Sequence, residues 1–215
     1  MNTITNDSYE APIRVTPLRR VFIFLFIPVL KMLANISIES VENLPDKGAA
    51  IVACNHLSFF DGFVLQYAIP RPLFFMGKVE NFNNPFLRFF MYQIGAFPVQ
   101  RGSFDRSAIL QAQRVLDAGQ VLGMFPEGTR TYGRGMVLAK TGTAHLAMKT
   151  KCPIVPVAMS GSQNILKQFL KKASVVVKVC PPILPQEKMN ANDLTDLLMK
   201  ELATHLPEKL RGVYS

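Results

Sequence analysis

A single α/β domain, with a largely parallel central sheet flanked by helices, is what this chain predicts. Three observations carry that prediction. Short, fully apolar runs alternate with longer segments of helical periodicity, the pattern of βα units. Several polar or charged clusters come directly after the apolar runs, where open α/β sheets place their ligands. The length of 215 residues fits one domain, with or without an appendage, and is enough to bury a full core.

The elements follow in order. Residues 1–17 are polar and read as loosely ordered. Val21 to Leu30 reads VFIFLFIPVL, an apolar helix pattern after Arg19 and Arg20, continuing to about Ala34. Ten helical residues rise about 15 Å, half of a hydrocarbon core of about 30 Å. Extension toward Ile38 adds Lys31, Asn35 and Ser37, and Pro28 removes a backbone donor. A secure transmembrane span does not follow. An interfacial anchor, a buried core helix and a signal peptide are the open readings. The missing small-x-small cleavage site and the strand-like segment that follows favour an N-terminal apolar membrane-associating helix, which places an organisational boundary between residues 1–38 and 39–215.

Strands are expected at residues 36–41, 49–54, 73–76, 95–100, 121–125, 154–158 and 174–179. Residues 44–48, Leu-Pro-Asp-Lys-Gly, read as a turn. Helices are expected at residues 58–69, 84–94, 104–118, 141–149 and 192–205. Gly119 marks the stop of the third of these helices.

Composition narrows the function classes. Hydrophobic residues make up 49% and charged residues 18%, which excludes a disordered chain. A mean hydropathy of +0.19 suits membrane contact. The net charge of +9 is concentrated in one stretch, because residues 128–186 hold nine Lys and Arg and no Asp or Glu. Such a block attracts an anionic partner: a phosphorylated substrate, an acidic lipid surface or nucleic acid. No RNA- or DNA-binding module accompanies the charge, so nucleic acid is not expected. Cys54, Cys152 and Cys180 stand in apolar contexts with no metal-ligand spacing, so buried thiols in a reducing compartment and no metal are expected.

The most informative stretch is Asn55-His56-Leu57-Ser58-Phe59-Phe60-Asp61. Imidazole is the side chain suited to taking a hydroxyl proton near neutral pH, and a carboxylate fixes its tautomer. Five residues along one continuous helix leave two side chains about 140° apart. The pair meets only where His56 lies in the turn leaving a strand and Asp61 in the first helical turn. Asn55 and Ser58 are placed to shape that loop or cap the helix.

About 70 residues later comes Phe125-Pro126-Glu127-Gly128-Thr129-Arg130. Gly128 permits close backbone approach, and its N–H is placed to face an anion. Thr129 adds a hydroxyl and Arg130 a bidentate fork for phosphate. Glu127 is suited to orienting Arg130, binding a substrate hydroxyl or completing a structural ion pair. Between the two clusters, Arg101 follows a strand and precedes Gly102, a candidate anion-binding arginine. Phe74, Phe75, Phe82, Phe86, Phe89, Phe90 and Tyr92, with Lys78 and Arg88, suit either a lipid headgroup layer or an ordinary core.

These blocks resemble those of the glycerolipid acyltransferases typified by 1-acylglycerol-3-phosphate (lysophosphatidate) acyltransferase. The matching blocks are NHLSFFD, GAFPVQR, FPEGTR and Ile154-Val155-Pro156-Val157-Ala158, in the same order and spacing, over about residues 50–160. Gln100 departs from many relatives, which carry Asp before the arginine. The resemblance implies an acyltransferase domain over residues 39–215, with His56 as general base and Asp61 as its partner. It implies an acceptor pocket of Arg101, Glu127, Gly128, Thr129 and Arg130, with Pro156 shaping the acyl-donor side. Lys140 and Gly142 fall in a stretch that resembles the family's continuation after FPEGTR. The implied reaction transfers a fatty acyl group from acyl-CoA or acyl carrier protein to the sn-2 hydroxyl of lysophosphatidic acid, with no cofactor. Another lysolipid or glycerol 3-phosphate is the alternative acceptor, and a non-catalytic anionic-membrane module the rival of another class. The implied location is a membrane, monotopic or peripheral on the cytoplasmic face.

Overall fold

The structure is a computed structural model that describes residues 14–100, 105–168 and 171–215. Its first helix, α1 (Pro17–Leu33), starts where the Thr16 side chain accepts the Arg19 N–H at 3.2 Å, with Pro17 at the first position. Proline is tolerated there because its missing N–H has no helical partner anyway. Strand β1 (Ala34–Glu39) follows without a loop.

The chain continues through β2 (Ala50–Cys54), α2 (Asp61–Ala68), β3 (Leu73–Lys78), α3 (Glu80–Asn83), α4 (Pro85–Gln93) and β4 (Ala96–Val99). Then come α5 (Arg106–Asp117), β5 (Val121–Met124), α6 (Gly142–Thr150), β6 (Ile154–Ser160), β7 (Ala173–Val179), α7 (Ala191–Thr204) and α8 (Glu208–Arg211). The strands form one seven-stranded sheet in the order β1-β7-β6-β2-β5-β3-β4. Only the β6–β7 pairing is antiparallel; every other neighbouring pair is parallel. The expected largely parallel sheet is therefore present, and all seven strands lie within a few residues of their expected positions.

Two apolar layers cover the two faces of the sheet. On one, Leu30 of α1, Val64 of α2 and Met91 of α4 join Val52, Val155 and Val177. On the other, Val115 of α5, Leu146 of α6 and Leu198 of α7 join Ile51, Leu122 and Ile154. Central strands buried on both faces read as unbroken apolar runs, which is why β2, β5 and β6 were visible without alternation.

Helix α2 begins at Asp61 rather than at residue 58. The N–H groups of Leu57 and Ser58 donate to the Asp61 carboxylate at 2.6 and 2.9 Å, and this local closure holds residues 57–60 as a loop.

Helix α1 is 17 residues long, and no described helix is long and apolar enough to cross a membrane. One side of α1 packs into the domain, where Phe26 lies 4.6 Å from Phe63, ring centre to ring centre. The other side leaves Leu18, Val21, Phe24, Leu25 and Met32 in solvent, beside exposed Phe86 and Phe89 of α4.

Candidate active site

The site forms where β2, β5 and β6 end on the same edge of the sheet. Asn55, just past β2, bridges to β6: its Nδ2 donates to the Met159 carbonyl at 2.9 Å and its Oδ1 accepts the Met159 N–H at 2.8 Å. That locks the start of the loop carrying His56.

His56 Nδ1 lies 2.7 Å from Asp61 Oδ2. Asp61 is fully buried and accepts four further bonds, from the N–H groups of Leu57 and Ser58 and the hydroxyls of Ser58 and Ser162. The Ser162 hydroxyl is the shortest of the side-chain donors, at 2.6 Å. Five donors converge on this carboxylate and fix its orientation. It therefore selects the imidazole tautomer with the proton on Nδ1, leaving Nε2 as a lone-pair acceptor. Among the described residues Nε2 has no protein hydrogen bond. The ring stacks on Phe125 at 3.9 Å, and Phe75 backs Phe125 at 6.0 Å.

The main chain of His56 is clamped as firmly as its ring. Its N–H donates to Glu127 Oε1 at 2.7 Å, and its carbonyl accepts from the Thr131 N–H at 2.8 Å and the Thr131 hydroxyl at 3.1 Å. Glu127 Oε2 accepts the Val137 N–H at 3.3 Å. Both oxygens of Glu127 are thus turned toward backbone donors, and the residue acts on His56 rather than orienting Arg130. Burial pushes the Glu127 carboxyl up to about 7, against the two N–H bonds that pull it down.

Arg130 lies over the Phe59 ring at 5.6 Å and shares with His56 and Lys78 the wall of a cavity of about 60 Å³. The Gly128 N–H donates to the Phe125 carbonyl at 2.9 Å, closing the turn instead of facing an anion as expected. Its φ of +64° is the left-handed conformation that favours glycine, and the Lys140 side chain lies against it. Thr129 is exposed. Pro156 is buried inside β6, opposite Ala53 of β2, and is not in the walls of the cavities that lead from His56. Arg101 lies outside the described residues.

The small cavity at His56 shares Met76 and Phe125 with a second of about 180 Å³, lined by Gly128 and Lys140. Met76, Met124 and Gly142 are shared in turn with a chamber of about 610 Å³ between α5 and α6, walled by Ile109, Ala112 and Leu146. Arg130, Lys140 and Lys149, all from the acid-free basic segment, line these three spaces. The imidazole, these cations and an apolar chamber therefore line adjoining spaces.

Sequence reasoning missed Thr131, Ser162 and the cleft position of Lys78. Only the proximity of Thr131 to the FPEGTR block offered a signal; Ser162 comes to Asp61 across 101 residues of chain.

Known proteins resemble the chain in sequence and in fold. A family model described as Acyltransferase matches residues 35–160. The chain is 31% identical over 156 residues to a 1-acyl-sn-glycerol-3-phosphate acyltransferase of Bacillus subtilis, covering 72% of this chain and 77% of that one. A 1-acyl-sn-glycerol-3-phosphate acyltransferase of Saccharomyces cerevisiae is 29% identical over 201 residues, covering 86% of this chain and 61% of the other. The crystal structure of the 1-acyl-sn-glycerophosphate (LPA) acyltransferase of Thermotoga maritima has the same fold, with a TM-score of 0.69 at 20% identity, covering 88% of this chain and 81% of that one. With the NHLSFFD and FPEGTR blocks meeting at one site and a family match over more than half its length, the chain belongs to the acyltransferase family.

Proposed function

We propose that the protein transfers a fatty acyl group from acyl-CoA or acyl carrier protein to the sn-2 hydroxyl of 1-acylglycerol 3-phosphate, giving phosphatidic acid. The observation that carries the reading is the buried His56–Asp61 pair, 2.7 Å apart, on a cavity shared with Arg130. The names of the similar proteins supply the acceptor class, and the cationic wall agrees with it.

In this reaction His56 Nε2 takes the hydroxyl proton as the acceptor oxygen attacks the thioester carbonyl. The tetrahedral intermediate collapses, the carbon–sulfur bond breaks, and the imidazolium returns its proton to the departing thiolate. Proton and electron balance close on His56 without a covalent enzyme intermediate or a cofactor. Asp61 stabilises the imidazolium, and Arg130 with Lys78 grips the phosphate. Arg101, Thr129 and the Gly128 turn complete the acceptor side, and the chamber between α5 and α6 takes the acyl chain. Pro156 contributes by holding the β6 backbone from which Met159 braces Asn55.

The protein works on a membrane. The exposed apolar side of α1 and α4 faces the acyl-chain boundary of an anionic, cytoplasmic leaflet, with Arg20 and Lys31 at headgroup level. This puts the enzyme where both its lipid substrate and product reside.

The test is a transfer assay with purified protein, labelled oleoyl and palmitoyl thioesters and a panel of lysolipid acceptors. Transfer to lysophosphatidate above all other acceptors is expected, and its loss in His56→Ala. Transfer only to glycerol 3-phosphate or a neutral lysolipid would reassign the acceptor; no transfer to any acceptor would leave a binding module.

A further inference from the structure

A second group of chemically capable side chains lies outside the cleft, where α7 covers the β6–β7 side of the sheet. Cys180 directly follows β7. Glu201 in the last turn of α7 and His205, the residue that caps its C-terminus four positions on, come to meet it. One ligating atom from each of the three lies within 4.8 Å of the other two.

The donor types suit a tetrahedral ion. Zinc holds sulfur at about 2.3 Å and imidazole nitrogen or carboxylate oxygen at about 2.0–2.2 Å, which sets donor-to-donor edges of roughly 3.3–3.7 Å. The His205 Nε2 to Glu201 Oε1 edge is already 3.2 Å. Small rotations of the half-buried Glu201 and His205 side chains close the remaining edges.

The Cys180 backbone is fixed. Its N–H donates to the Pro156 carbonyl at 2.8 Å, and the preceding Val179 carbonyl accepts Asn43 Nδ2 at 2.9 Å. Its thiol meets the Lys178 carbonyl at 3.9 Å and the Ala158 N–H, two weak sulfur contacts that an ion would replace. A cavity of about 380 Å³, walled by Ser160, Thr204, His205 and Pro207, opens alongside. Of the three donors only His205 lines it, so an ion and its fourth ligand would enter from the His205 side. Lys178 lines the same cavity, but its charge is paired with Glu39 at 3.6 Å.

We propose that Cys180, Glu201 and His205 bind a thiophilic divalent metal ion, zinc in the ordinary case, with the fourth position open to water from the cavity. Binding displaces the Cys180 thiol proton to solvent and ties the end of α7 to the sheet. The expectation of no metal is revised at this one place. It rested on local spacing, and these donors are brought together by the packing of α7 rather than by their separation in sequence.

The experiment uses the full chain, stripped with a chelator and titrated with cobalt(II). One equivalent should bind and produce a sulfur-to-cobalt charge-transfer band. Cys180→Ser should remove that band, and zinc competition should show Glu201→Gln with His205→Ala weakening affinity by more than the roughly tenfold that even an outer-shell change costs. Zinc should raise the melting temperature of the wild type and leave the double variant unmoved. Absence of the band in the wild type would overturn the proposal. So would an equal band in Cys180→Ser, which assigns it to Cys54 or Cys152. If Cys180→Ser does not fold, the double variant decides alone: it keeps every thiol, and wild-type zinc affinity in it sinks the site.

Discussion

The backbone N–H of His56 donates to Oε1 of Glu127 at 2.7 Å, across 71 residues of chain. The FPEGTR block therefore reaches beyond its own turn, because its glutamate sets the position of the histidine. Burial raises the Glu127 carboxyl from its ordinary 4.5 to about 7. A carboxyl raised in the folded state holds its proton more tightly folded than unfolded. Its contribution to stability is full below about 4.5 and declines as pH rises through about 7. Glu127→Gln keeps an acceptor for His56, turns an amide toward the Val137 N–H, and cannot titrate. The variant should be less stable than wild type near pH 5, with the gap narrowing toward pH 8. Urea melts at the two pH values check this; a constant gap contradicts it.

Asp61 and His56 should separate stability from chemistry. Asp61→Asn aims an amide at donors in a fully buried place, and should lose about 3–5 kcal/mol of stability along with activity. His56→Ala leaves four donors on the carboxylate and should stay folded, while transfer falls at least about 10²-fold. Ser162→Ala removes the 2.6 Å bond to Asp61 Oδ1 and should lower kcat by roughly tenfold with little change in KM. Near-normal turnover in His56→Ala would refute the assignment of the base.

Gly123 controls the aromatic stack beneath the imidazole. A Cβ there would collide with the ring of Phe75, which backs Phe125, which backs His56. Gly123→Ala should cost about 1–3 kcal/mol through overpacking and lower kcat as the stack shifts. Unchanged melting and turnover together would show that the stack is not transmitting position.

The outer side of α1 should carry membrane affinity without carrying fold. Phe24 and Leu25 are 75% and 62% exposed, so Phe24→Asp with Leu25→Asp leaves the core intact. The double variant should lose cosedimentation with phosphatidylglycerol vesicles while its melting temperature holds. Salt should weaken the wild-type interaction, because screening acts on the basic residues. Equal sedimentation of both proteins would remove α1 as the docking surface.

The strands were legible because strands buried on both faces, such as β2, β5 and β6, cannot alternate and must appear as short apolar runs. The His56–Asp61 pair was legible because only a strand-to-helix junction lets residues five apart meet. The turn at Gly128 was legible as a turn, but not that its N–H closes on Phe125. The start of α2 was misplaced by three residues because Leu57 and Ser58 spend their N–H groups on a side chain, a competition that periodicity does not register.

Local chemistry along the chain was enough to establish the α/β alternation, the histidine with its carboxylate partner, the basic bias and the apolar α1. The order β1-β7-β6-β2-β5-β3-β4 decided the rest. Placing β2 between β5 and β6 is what brings Glu127 and Thr131 from one neighbour and Met159 and Ser162 from the other onto the loop of His56. The packing of α7 likewise brings Glu201 and His205 to Cys180. Such meetings depend on which strands and helices become neighbours, and a hydrogen bond between distant residues leaves no periodic trace in either of the segments it joins.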